Sequence, residues 1–167
     1  MIIIKLGDIT QEDVKVIVNA ANTGLRGGGG VDGAIHRAAG PTVMEECRKI
    51  GGCPTGEAVI TNAGNLKAKK IIHTAGPVWH GGRENEAGLL RNCYRNCFLL
   101  AKKNLLETIA FPAISTGVYG YPIEGATRIA LSVGREFERD FGEIRYVCFS
   151  QRDYDIYQRI WREIAHA

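Results

Sequence analysis

An acid and a histidine, Asp32 and His36, stand four residues apart just after four consecutive glycines, Gly27, Gly28, Gly29 and Gly30. Asn22 precedes that run by five residues. Side chains at i and i+4 share one face of a helix. A helix opening near Val31 therefore sets Asp32 beside His36, and the preceding loop returns both toward Asn22. An amide can hold hydroxyls or a water, and a carboxylate can orient or deprotonate that water. Glycines lack a Cβ, so the loop is free to adopt positive φ and to let a ligand touch its N–H groups. Successive N–H groups form an anion-binding concavity, strengthened by the positive end of the helix that follows. These residues suit a phosphate-bearing ligand with an acid at its far end.

A second loop matters as much. Phe111-Pro112-Ala113-Ile114-Ser115-Thr116-Gly117-Val118-Tyr119-Gly120-Tyr121-Pro122 leaves a strand and precedes a helix. Ser115 and Thr116 offer hydroxyls, Gly117 and Gly120 permit close backbone approach, and Tyr119 offers an aromatic face. Two strand-to-helix loops at the carboxyl edge of one sheet can clamp a diphosphate from both sides. Neither is a Walker loop, because no Gly-Lys-Ser/Thr follows the glycines. Nor is either a dinucleotide fingerprint, since the acid expected about 20 positions further on is missing.

The elements that must position these loops alternate. Residues 2–6 and 14–18 are short β-rich runs, with the turn Gly7-Asp8-Ile9-Thr10 between them able to open a brief helix. Residues 34 to about 50 are expected as one helix, 58–62 and 70–74 as strands, and 86 to about 103 as an amphipathic helix. Residues 108–113 read as a buried strand, 124 to about 141 as a helix, 145–149 as a strand and 154–165 as a closing helix. That order predicts one α/β domain over residues 1–167, a three-layer α/β/α arrangement around a central mixed, mostly parallel sheet.

Composition narrows the function classes. The 167 residues carry a net charge of only +3, and the basic stretches Lys67-Ala68-Lys69-Lys70 and Lys102-Lys103 read as solvated flanks. A nucleic-acid partner is not expected. No run reaches the roughly 18 apolar residues of a membrane span, and the first residues lack a basic n-region and cleavage site. The expectation is a cytoplasmic protein. The five cysteines, Cys47, Cys53, Cys93, Cys97 and Cys148, are odd in number and form no CxxC. Cys93 and Cys97 share a helix face, but no histidine lies at ligand spacing, so buried small hydrophobes are expected and no metal.

Asn19-Ala20-Ala21-Asn22, the segment from Gly27 through Val31-Asp32-Gly33-Ala34-Ile35-His36-Arg37-Ala38-Ala39 to Gly40, and Ile114 through Pro122 together resemble the macro domain family. The likeness is to its MacroD-type branch, which includes bacterial O-acetyl-ADP-ribose deacetylases. It runs from Gly7-Asp8-Ile9-Thr10 to Val147-Cys148-Phe149 and takes in Cys53-Pro54-Thr55-Gly56-Glu57-Ala58 and His73-Thr74-Ala75-Gly76-Pro77-Val78-Trp79. The resemblance implies ADP-ribose as ligand. It places adenine at Asp8 and Ile9, with Phe149 stacking on the base. The phosphates go to Gly28, Gly29, Gly30 and Val31 on one side and Ser115, Thr116, Gly117, Val118 and Tyr119 on the other. Tyr119 packs against the distal ribose, with Asn22 and Asp32 beside it. The residues alone leave Asp8 open as an Asx-turn cap and Phe149 open as core.

Catalytic roles follow for Asn22, Asp32 and His36. Asn22 would position the scissile ester or the water, and Asp32 would orient or deprotonate that water. A helix N-terminus favours negative charge, which leaves a substrate phosphate oxygen open as a partner in the base role. His36 is open between direct involvement and support of Asp32. The reaction implied is hydrolysis of an ester at the distal ribose, either of O-acetyl-ADP-ribose or of mono-ADP-ribose on Asp/Glu of proteins. No serine or cysteine nucleophile with a paired base is visible, and no cofactor is expected. The competing readings are a non-catalytic ADP-ribose reader, a nucleotide- or RNA-binding module, and a phosphatase of ADP-ribose-1″-phosphate.

Overall fold

In a computed structural model, described for residues 1–166, a six-stranded sheet runs in the order β1-β6-β5-β2-β4-β3. The strands are β1 (Ile2–Leu6), β2 (Val16–Ala21), β3 (Ala58–Asn62), β4 (Lys70–Ala75), β5 (Thr108–Phe111) and β6 (Glu143–Cys148). All pairs are parallel except β3 against β4. The helices are α1 (Gly30–Ala39), α2 (Pro41–Ile50), α3 (Glu86–Lys103), α4 (Ile123–Phe137) and α5 (Gln151–Ala165).

Strand periodicity divides the core into two layers. Val16 and Val18 of β2, Ile72 of β4, Ile109 and Phe111 of β5, and Tyr146 of β6 face α3, α4 and α5. Their neighbours Ile17, Ile71, Ala110 and Val147 face α1 and α2. The three-layer α/β/α architecture with a mixed, mostly parallel sheet is as the sequence implied. No helix among the described residues is long and apolar enough to cross a membrane.

The single helix expected over residues 34–50 is two helices. Gly40 breaks it at φ 88°, ψ −179°, and Pro41 opens α2 as its first residue. Proline lacks the N–H that a continuous helix needs and is well placed at a helix start. Strand β2 reaches Ala21 rather than Val18, because buried Asn19 continues the pairing with β4. Helix α5 begins at Gln151 rather than Tyr154, with Ser150 Oγ accepting from the Asp153 N–H at 3.2 Å.

Helix α4 lies close against β6 at Gly134, where an added Cβ would sit 2.2 Å from the Tyr146 hydroxyl. That hydroxyl donates to the Ala130 carbonyl at 2.6 Å and cannot move freely. Gly134→Ala is expected to destabilise the fold by about 1–3 kcal/mol, the usual cost of overpacking. Chemical denaturation reads the effect, and an unchanged midpoint would contradict this packing.

Candidate functional site

Because β1, β6, β5, β2 and β4 run parallel, the segments that leave them emerge along one edge in that order. The row begins with the Asp8 turn after β1, followed by Phe149 after β6. The loop of residues 112–122 comes next after β5, then the glycine loop after β2, and last the segment after β4. Four strand spacings of about 4.8 Å make a row of about 19 Å. An elongated ligand is what such a row fits.

At the β1 end, Asp8 Oδ1 accepts from the Thr10 N–H at 2.9 Å and the Thr10 hydroxyl at 2.7 Å, capping a 3-10 turn at Ile9–Gln11. The Asx-turn role is therefore real. It employs only one carboxylate oxygen of an exposed residue, and Ile9 beneath it is buried. Phe149 is 90% exposed, which removes the core reading for that ring.

Two cradles form the middle of the row. Among the described residues, no protein acceptor takes the N–H of Gly28, Gly29, Gly30 or Val31. The same holds for Thr116, Gly117, Val118 and Tyr119. Gly30 takes φ 57° as α1 begins, the left-handed region that glycine enters at little cost. In the second loop Ser115 itself adopts φ 68°, an uncommon conformation for a residue with a side chain. Its hydroxyl, expected to face a ligand, is buried without a partner and lies against Gly76, where a Cβ would approach to 2.1 Å. Thr116 likewise turns its hydroxyl back to the Ala113 carbonyl at 3.2 Å. What the two loops offer an anion is therefore backbone N–H groups and the α1 dipole, not side-chain hydroxyls.

Toward β4 lie Asn22, Asp32 and His36. Asn22 closes its own loop: Nδ2 donates to the Gly27 carbonyl at 2.8 Å, and Oδ1 accepts from the Arg26 N–H at 2.9 Å. Each end keeps one further hydrogen-bonding position. Asp32 is 7% exposed. Its Oδ1 accepts from Asn19 Nδ2 at 2.9 Å and lies 3.4 Å from His36 Nε2. Among the described residues Oδ2 has no hydrogen-bond partner, and it lies 3.8 Å from where a Cβ on Gly28 would sit.

Beyond Asn22, a crevice of about 310 Å³ is lined by Thr23, Thr55, Pro77, His80, Glu86 and Tyr119, among others. Its wall is rigid. Buried Glu86 accepts from the N–H groups of His80 at 2.8 Å, Gly82 at 3.0 Å and Glu84 at 2.6 Å. Those N–H bonds, that of His80 foremost, hold the Glu86 carboxyl at about 2, down from 4.5, although burial pulls the other way.

Sequence spacing missed a group beneath the site. His36, Cys47 and His73 each offer a metal-ligating atom, all within 4.8 Å of one another. Their hydrogen bonds disfavour a metal. Thr61 Oγ1 lies 2.9 Å from His73 Nε2, and Asn19 Nδ2 lies 3.0 Å from His73 Nδ1, so both ring nitrogens are engaged. Burial drives His73 down to about 3 and the Cys47 thiol up to about 11. Both are neutral near pH 7. All five cysteines are buried and free, as expected. Asn19 and His73 were legible only as polar residues inside apolar strand runs.

The macro domain model matches residues 18–130. A macro domain-containing protein of Chlorobaculum tepidum is 58% identical over 155 residues, covering 91% of this chain and 90% of that protein. A Salmonella typhimurium protein named O-acetyl-ADP-ribose deacetylase is 53% identical over 161 residues, covering 92% of this chain and 90% of its own length. Among solved structures, a point mutant of the Oceanobacillus iheyensis macrodomain with ADPR superposes with TM-score 0.94 at 46% identity, covering 98% and 93% of the two chains. The Trypanosoma brucei macrodomain in complex with ADP-ribose gives TM-score 0.88 at 44% identity, covering 95% and 68%. With these matches over nearly its whole length, the chain belongs to the macro domain family.

Proposed function

We propose that this chain binds ADP-ribose along the loop row and hydrolyses esters at the distal ribose. Its substrates are O-acetyl-ADP-ribose and mono-ADP-ribose linked to Asp or Glu side chains of proteins. The observation that carries the reading is a nearly buried carboxylate, Asp32, with one oxygen held and the other turned toward loop N–H groups that no protein acceptor takes among the described residues. The relative named a deacetylase and the neighbours solved with ADP-ribose support it.

Adenine lies between Asp8 and Phe149, the diphosphate between the two cradles, and the distal ribose reaches Asn22 and Asp32. Asp32 Oδ2 accepts a hydrogen bond from a water and aims its oxygen at the ester carbonyl carbon. As that C–O bond forms and the bond to the ribose oxygen breaks, the water's proton passes by way of Oδ2 to the ribose oxygen. The remaining N–H of Asn22 and the loop N–H groups face the charge that develops on the carbonyl oxygen, where preorganised donors act most strongly. His36 supports Asp32 through Oδ1. The acyl group or protein side chain leaves through the crevice beyond Tyr119. A non-catalytic reader would use the same cradles, but binding alone does not require a buried acid at the ribose.

Phe149→Ala is expected to weaken ADP-ribose and AMP by similar factors in calorimetry, since both carry the adenine, with little change in stability for so exposed a ring. An effect on neither ligand would move adenine elsewhere. Incubation with O-acetyl-ADP-ribose tests the hydrolase directly. Release of acetate together with ADP-ribose is expected, and intact ester over a protein that binds ADP-ribose would make the chain a reader.

A further inference from the structure

Three polar side chains run across the last three strands of the sheet, from β2 through β4 to the edge strand β3, where apolar ones are the rule. Asn19 of β2 and His73 of β4 are both 0% exposed and stand opposite each other in the strand register. Thr61 of the neighbouring β3 is 1% exposed. They lie on the face covered by α1 and α2, directly under Asp32.

The directions of their protons follow from the partners. The Thr61 hydroxyl has one hydrogen, which goes to the Asn62 carbonyl at 2.9 Å. Thr61 Oγ1 must therefore accept from His73 Nε2–H across 2.9 Å. A neutral imidazole protonated at Nε2 leaves Nδ1 bare, able to accept from Asn19 Nδ2 at 3.0 Å. The second hydrogen of that amide goes to Asp32 Oδ1 at 2.9 Å. Turning the amide over would set its oxygen against the carboxylate. The chosen orientation instead leaves Asn19 Oδ1 buried without a partner. An unmade hydrogen bond in a core is a cost that an apolar residue would avoid.

We propose that Thr61, His73 and Asn19 are positioning residues, a one-way hydrogen-bond chain that clamps Asp32 Oδ1 so that Oδ2 faces the scissile ester. The proposal rests on the hydrolase reading for its effect on turnover, though not for the chain itself. The titratable groups around His73 are His36, stacked at 6.0 Å between ring centroids, and Cys47, whose Sγ lies 3.9 Å from Nε2. Cys53 Sγ lies 3.9 Å from the His73 carbonyl, and Asp32 is reached through Asn19. Neutral His73, with its protonation strongly opposed by burial, can transmit orientation without adding charge.

The test uses Thr61→Val, which keeps the shape and removes the hydroxyl, and Thr61→Ser, which keeps the hydroxyl. In the wild type, ¹⁵N spectra of labelled histidine are expected to show His73 protonated at Nε2. In Thr61→Val, kcat on O-acetyl-ADP-ribose should fall roughly 10- to 100-fold, as for a misplaced reacting group. The Kd for ADP-ribose should stay within about threefold, no more than the low end of one lost hydrogen bond. The ¹³C resonance of the Asp32 carboxyl should move as well. Thr61→Ser should restore kcat and the resonance. His73 protonated at Nδ1, or Thr61→Val with an unmoved Asp32 resonance, would overturn the proposal; so would an unchanged kcat in Thr61→Val when the wild type turns over. If the wild type shows no turnover, the hydrolase reading fails, while the histidine and Asp32 resonances still decide the chain.

Discussion

Asp32→Ala is expected to lower turnover of O-acetyl-ADP-ribose by about 10²–10⁴-fold, the range for a lost general acid–base or water-orienting group. ADP-ribose affinity should survive within about 1–2 kcal/mol, the size of one lost hydrogen bond. The separation follows from the geometry. Phosphate binding depends on backbone N–H groups of the two cradles, which the substitution leaves in place. Oδ2, by contrast, is the unpartnered carboxylate oxygen beside the glycine loop. The variant also strips Asn19 Nδ2 and His36 Nε2 of their shared acceptor, so a lower melting temperature accompanies it. Calorimetry and acetate release on the same preparation separate the effects. Parallel loss of binding and turnover would instead make Asp32 a ligand anchor.

Gly33→Ala should act oppositely, through binding. A Cβ there would lie 2.3 Å from the Gly28 carbonyl oxygen, a separation real Cβ atoms essentially never show, and a tight 3.3 Å from its carbon. Arg37 Nη1, at 2.9 Å, can swing away, whereas the Gly28 backbone can yield only by moving the first cradle. The expected results are about 1–3 kcal/mol of lost stability and ADP-ribose affinity weaker by about tenfold or more, near 1.4 kcal/mol. Calorimetry reads the second. Unchanged affinity would place the diphosphate away from the glycine loop.

Glycine runs, the i, i+4 acid and histidine, and strand-to-helix alternation were legible because each is local. Strands β1 and β3 and helix α3 were read at their observed limits. The break at Gly40 is masked because apolar periodicity continues from Ile35 to Cys47 across it, although the Gly-Pro signal lies in plain view. Phe149 could not be assigned from type alone, since an aromatic ring at a strand end suits core and ligand equally. Its exposure removes the core reading. The hydrogen-bond chain under Asp32 was invisible for another reason. Its residues come from three strands, and only the sheet register sets Asn19 opposite His73. Spacing rules for histidine and cysteine look along one segment, so His36, Cys47 and His73 escaped them too.

The most direct measurement compares turnover with binding in one cleft: inhibition of O-acetyl-ADP-ribose hydrolysis by ADP-ribose, set beside the calorimetric Kd. The account predicts that acetate is released and that the inhibition constant equals the Kd, because product and substrate share the cradles. No release, or hydrolysis that persists while ADP-ribose saturates the site, would contradict it.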